Sequence, residues 1–280
     1  MIIERILAAI MLASLTFGAG LQVNRAHLVE IFKNASLLVR VLIANFLIVP
    51  AAGYGLARLF RLPVEVETGF LLMAIAPGVP FVLAQVRKRG GRLALAVELA
   101  FVLPLLSILT IPITAALVLP PGASAHVPLG QFLVTLVLFQ FLPLLLGMLV
   151  GERSPAAAQR LGRPLEIVFF AAAIALIAVL APKLVHSIAS VYGSNGMWAM
   201  LCTVLVSLGA GWLLGGPARQ DRRVLSLGTA LRNVGLGALV ATSNFQSDQV
   251  AATVLVYFII QFVLVTILGA YYAKTAKVVA

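Results

Sequence analysis

The chain has 280 residues, 62% of them hydrophobic and 10% charged, with a mean hydropathy of +1.10. A water-soluble domain of this length is about a quarter charged, so no soluble surface can be built from this composition and lipid must solvate most of it. The excess of 20 Lys and Arg over 9 Asp and Glu would suit nucleic acid, but the placement of those bases points to the lipid bilayer instead.

In chain order, Glu4 and Arg5 cancel at the N-terminus, and the apolar run after them ends at Gly18, Gly20 and Gln22 with no small-residue cleavage pattern. It reads as a retained helix rather than a signal peptide. Runs long enough to cross about 30 Å of hydrocarbon fall at 3–23, 36–58, 66–86, 93–119, 130–151, 165–190, 196–216, 224–245 and 249–273. These nine spans are expected to be helical, because open strands leave backbone groups unsatisfied in lipid. The connections are short and carry turn residues such as Pro120-Pro121-Gly122 and Gly216-Pro217.

Alternating the loops between two sides places Arg25, Lys33, Arg40, Arg87, Lys88, Arg89, Arg92, Arg153, Arg160, Arg163, Arg219, Arg222, Arg223, Lys274 and Lys277 on one of them. The other receives Arg5, Arg58, Arg61 and Lys183. The positive-inside rule then sets the C-terminus in the cytoplasm and the N-terminus outside, and a bacterial inner membrane is the expected location. Bases facing anionic lipid account for the pI without nucleic acid. The lone Cys202 cannot form an intrachain disulfide.

Two spans are interrupted. The third contains Ala76-Pro77-Gly78-Val79-Pro80, and the eighth contains Arg232-Asn233-Val234-Gly235-Leu236-Gly237. Prolines remove helix hydrogen bonds, and Pro77, Gly78, Pro80, Gly235 and Gly237 mark the breaks. The two spans lie five apart in order and so run in opposite directions. That fits an inverted repeat of 1–119 (four spans) and 120–280 (five spans), whose interrupted helices cross at a midplane site. Gly211-x-x-x-Gly215 reads instead as a helix-packing face.

Arg232 is the charge inside a span, at an insertion cost of at least about 2.5–3.5 kcal/mol. It reads either as a snorkelling or structurally paired arginine, or as a guanidinium that forks onto a substrate carboxylate, sulfonate or phosphate. Glu98 is a candidate for ion pairing or proton coupling. Asn45, Asn233, Gly78 and Pro80 are candidate substrate contacts, and Asn45 and Gln85 are buried amides suited to packing or to lining a cavity. His27, His126 and His186 have no metal-ligand spacing. No catalytic constellation is visible, so neither enzyme activity nor a cofactor or metal is expected.

The order Gly18-Ala-Gly-Leu21, Asn45-Phe-Leu-Ile-Val-Pro50, Leu56-Ala-Arg-Leu-Phe-Arg-Leu-Pro63, Gly69-Phe-Leu-Leu-Met-Ala-Ile-Ala-Pro77-Gly78, Leu95-Ala-Val97 and Arg232-Asn233-Val234-Gly235-Leu236 resembles the bile acid:sodium symporter family. The resemblance implies a nine-span form with a core of spans two to four and seven to nine. This core rocks against a panel of spans one, five and six. Members usually carry a Pro-Gly-Gly break and a Ser-Asn pair that binds sodium; here Val79 follows Gly78, and Val82 and Leu83 hold the paired positions. Hydroxyls of the next span are replaced by Ala96 and Ala100, and the Glu and Gln at the second break by Gly228 and Arg232. Hard cations need several oxygen ligands, so sodium is a doubtful partner. The expected function is secondary transport of a small organic anion by alternating access, with Arg232 in place of the cation. A sodium-coupled symporter and a transporter-like receptor are the alternatives.

Overall fold

A computed structural model describes residues 2–24, 34–78, 86, 90–121, 129–245 and 247–279. Among them there is no strand, and eight helical segments are long and apolar enough to cross a membrane. The ninth expected span, the third in order, is represented by a half-helix; residues 79–85, including Pro80 and Gln85, lie outside the described part.

The helices are α1 (Ile2–Gly20), α2 (Ala35–Leu59), α3 (Val64–Ile75), α4 (Leu93–Val118) and α5 (Leu129–Leu136, a π-helical turn Val137–Phe141, then Leu142–Arg153). They continue with α6 (Pro155–Gly193), α7 (Gly196–Leu214), α8 (Arg219–Ala230), α9 (Val234–Asn244) and α10 (Asp248–Val279). The eighth span is therefore broken, as expected, into α8 and α9. Helix α6 begins ten residues before its apolar run, because Ser154 caps it by accepting from the Ala157 N–H (3.3 Å) and Pro155 occupies the first turn. Helix α2 also contains a π-helical turn, Ile43–Ile48.

Burial follows position in the bundle. The most apolar window of the α8–α9 segment is 100% buried, whereas that of α5 is 22% buried. The eighth span is thus surrounded by protein, and α5 faces mostly lipid. Helices α1 and α5 meet backbone to backbone: a Cβ on Gly147 would lie 2.2 Å from the Phe17 carbonyl oxygen, and one on Gly20 2.2 Å from that of Leu144. Gly151 continues this seam against Leu21. On the other side, Gly211 and Gly215 bring α7 onto the backbone of α8 at Leu225 and Arg222, the packing role read from their spacing.

Each half-helix that precedes a break has twelve residues and an acid in its first turn. Glu67 of α3 pairs with Arg58 (3.4 Å), and Asp221 of α8 with Arg92 (2.9 Å). Carboxylates there also complement the positive end of the helix dipole.

Candidate functional site

The two breaks meet. Gly78 lies so close to α8 that a Cβ would sit 1.6 Å from the Gly228 carbonyl oxygen. The Gly78 N–H donates to Asn45 Oδ1 (3.2 Å), which ties the first break to α2. Asn45 Nδ2 donates to the Val41 carbonyl (3.1 Å) and to Thr229 Oγ1 (3.3 Å).

Arg232 fills the centre, 2% exposed. Its Nε–H donates to the Met73 carbonyl at 3.2 Å. Nη1 donates to Asn45 Oδ1 (3.1 Å) and the Thr229 carbonyl (3.5 Å). Nη2 donates to the Ala74 carbonyl (2.6 Å) and the Asn45 carbonyl (3.3 Å). A guanidinium has five N–H donors, and all five are placed on protein oxygens. Glu98, 4% exposed on α4, is not among the acceptors.

The covalent structure explains why those carbonyls are free. In an α-helix the Met73 carbonyl would take the N–H of residue 77, which is proline and has none. The Ala74 carbonyl would take the Gly78 N–H, but that donor goes to Asn45. In the π turn of α2 the Val49 N–H reaches back to Ala44. In that i→i−5 register the Asn45 carbonyl would need a donor from residue 50, again proline. The Thr229 carbonyl lies at the C-terminal end of α8, where the helix stops. The guanidinium therefore sits at the negative ends of two half-helices and on one bulge carbonyl, where a cation is stabilised by the helix dipoles.

Gln261 of α10, 1% exposed, holds the backbone of the second break. It accepts from the Arg232 N–H through Oε1 (3.0 Å) and donates to the Arg232 carbonyl through Nε2 (3.0 Å). Asn233 caps α9 by accepting from the Leu236 N–H (3.0 Å), and its Nδ2 donates to Gln140 Oε1 at 3.5 Å. Gly235 and Gly237, expected to mark the break, are instead helical within α9 and serve packing: Gly235 brings the start of α9 against the backbone of Leu12 on α1, and Gly237 packs against Met73 and Val254.

Two small cavities lie by the helix breaks, each of about 10 Å³, room for roughly one water. The first is bounded by Ala96, Ala100 and Gly228, with Asn45 and Thr229 the polar contributors. It brings together Ala96, Ala100 and Gly228, three of the positions at which the family resemblance expected lost sodium ligands; Val79, Val82 and Leu83 lie outside the described residues. The second, between Leu15 and Phe169 on one side and Asn233, Phe258 and Gln261 on the other, lies where α1 and α6 meet α9 and α10.

Of the residues singled out from sequence, the structure brings together Asn45, Pro77, Gly78, Arg232 and Asn233, with Gly235 and Gly237 beside them. The direct fork of Arg232 onto a ligand is not the geometry here, because every N–H already has a protein acceptor. Gln261, Gln140 and Thr229 were not singled out. Their signal is a lone polar residue in an apolar helix, which is ambiguous until the neighbouring helix is known.

Residues 9–191 match the profile of the Sodium Bile acid symporter family. A Bacillus subtilis (strain 168) protein, "Uncharacterized sodium-dependent transporter YocS", is 22% identical over 245 residues, covering 84% of this chain and 74% of the relative. The human "P3 protein" is 27% identical over 123 residues, 43% of this chain and 26% of its own length. Its mouse counterpart is 24% identical over 145 residues, and the match covers 30% of that protein. Apolar membrane-crossing helices, two helix breaks joined at one buried site and a match across well over half of its length make this chain an integral membrane transporter of the sodium bile acid symporter family.

Proposed function

We propose that this protein carries a small organic anion by alternating access without sodium, the guanidinium of Arg232 standing where a coupling cation would be bound. The observation that carries the reading is the set of five protein oxygens on Arg232, three of them backbone carbonyls at helix breaks and one the Asn45 carbonyl of the π turn. The same kind of oxygens coordinates cations in discontinuous transporter helices. The apolar lining of the adjacent cavity by Ala96, Ala100 and Gly228 supports it, since a hard cation needs several oxygens.

In this reading Arg232 acts on the substrate through its charge. The anionic group lies at the Asn233 amide and the positive end of α9, and the apolar part lies between Phe169 and Phe258. The halves 1–119 and 120–280 form the inverted repeats, and the N-terminus is outside a bacterial inner membrane. A cavity of about 10 Å³ admits a substrate only when α1 and α6 separate from α9 and α10, the movement that alternating access supplies.

Sodium coupling is the second reading, favoured by the name of the Bacillus relative, a sodium-dependent transporter. The experiment that separates them screens the purified protein for thermal stabilisation by small carboxylates and sulfonates in sodium and in potassium buffer. Counterflow of the stabilising anion in proteoliposomes follows. Equal stabilisation and counterflow in both cations is the expected result. A strict need for sodium overturns the Arg232 reading, and binding without counterflow overturns transport.

A further inference from the structure

Gln140 is fully buried (0% exposed) on the π-helical turn of α5, amid the otherwise apolar residues 136–151 of a lipid-facing helix. Its Nε2 donates to the Pro104 carbonyl and to Ser107 Oγ of α4, both at 2.7 Å. Its Oε1 accepts from Asn233 Nδ2 at the second break, at 3.5 Å. One amide from the α1–α5–α6 group therefore grips both α4 and the start of α9. A buried amide whose hydrogen bonds are lost costs more than one that never had them, so α5 cannot slide past α4 and α9 without breaking this set.

We propose that Gln140 is a positioning residue of the candidate site, contributed by the panel. It holds the Asn233 amide and latches panel to core. An anion arriving at Asn233 takes over that N–H and loosens the latch. This rests on the transport reading above, but its test needs no substrate.

The test measures panel–core distances by double electron–electron resonance in nanodiscs. Nitroxides are placed at Leu146→Cys on α5 and Leu205→Cys on α7, both exposed to lipid (53% and 52%), in a Cys202→Ser background. With Gln140 present, one dominant distance is expected. Gln140→Leu should raise the ratio of a second distance to the first by about tenfold or more, the scale of one net buried hydrogen bond. Ser107→Ala, which removes one partner only, should shift the ratio in the same direction by less, and it decides the matter if Gln140→Leu fails to fold. Leu144→Ala, a packing loss on the same helix, should lower stability while keeping one distance. An unchanged distribution in Gln140→Leu, two populations with Gln140 intact, or the same second population in Leu144→Ala would each overturn the latch. Failure of the sodium-free transport reading would appear in the counterflow assay and leave these distances unaffected.

Discussion

Replacing Arg232 by glutamine tests the cation-like role of the guanidinium most directly. The substitution exchanges five N–H donors for two. Asn45 Oδ1 keeps the Gly78 N–H, but the Met73, Ala74, Thr229 and Asn45 carbonyls lose their guanidinium donor. Pro77 and Pro50 cannot supply a replacement from the backbone. Each orphaned buried acceptor costs about 1–3 kcal/mol, and glutamine recovers two at most. Two orphans remain; adding the lost cation at the α3 and α8 C-termini, about 0.5–2 kcal/mol, gives a destabilisation of about 2.5–8 kcal/mol, on the order of 10 °C in Tm. The vacated carbonyls form an oxygen-rich site, so sodium should now bind. At a concentration one hundred times its Kd, sodium would return about 2.7 kcal/mol. Thermal unfolding of the purified protein is followed in sodium and in matched potassium. The wild type should show the same Tm in both, and Arg232→Gln should melt several degrees higher in sodium. A sodium-dependent wild type, or a variant as stable as wild type in potassium, would refute the argument.

Gln261→Leu removes the partner of the Arg232 carbonyl and one of two acceptors of its N–H, which keeps the Ala230 carbonyl (3.1 Å); it should cost about 1–3 kcal/mol, read as a lower Tm, and retention of full stability would show that water replaces the amide. Asn45→Ala breaks the junction of both helix breaks and should lower Tm comparably while abolishing anion-induced stabilisation. Gly78→Ala places a Cβ 1.6 Å from the Gly228 carbonyl oxygen, a clash with backbone that should prevent folded protein from accumulating in the membrane. Tyr257→Phe should be neutral or stabilising by about 1 kcal/mol, since its fully buried hydroxyl has no hydrogen-bond partner among the described residues; a large loss of stability would mean that a water or ligand occupies that site.

The sequence alone determined the helical membrane class, most of the helix positions and the place of Arg232 inside a span. These depend on local quantities: apolar run length, proline and glycine content, and the cost of a charge in hydrocarbon. It also placed a break at Arg232-Asn233, between the end of α8 at Ala230 and the start of α9 at Val234, but not its extent: Gly235 and Gly237, read as break residues, lie inside α9. Hydropathy missed the polar first turns of α6, where Ser154 and Pro155 were the available cue. It also gave no sign of the π turns in α2 and α5, although a proline shortly after Asn45 and Gln140 is compatible with each.

What only the tertiary structure decided is which groups meet. The Arg232 side chain takes acceptors as far away in sequence as Asn45, and Gln140 reaches Pro104 and Asn233 on two other helices. A free carbonyl is legible from a proline four or five residues later, but its partner depends on how helices from distant parts of the chain cross. That crossing is set by Gly78 on Gly228 and by Gly147 on Phe17, close approaches between backbones that no single stretch of sequence encodes. Lone buried amides such as Gln261 therefore look like ordinary packing residues in one dimension and become the fasteners of the site in three.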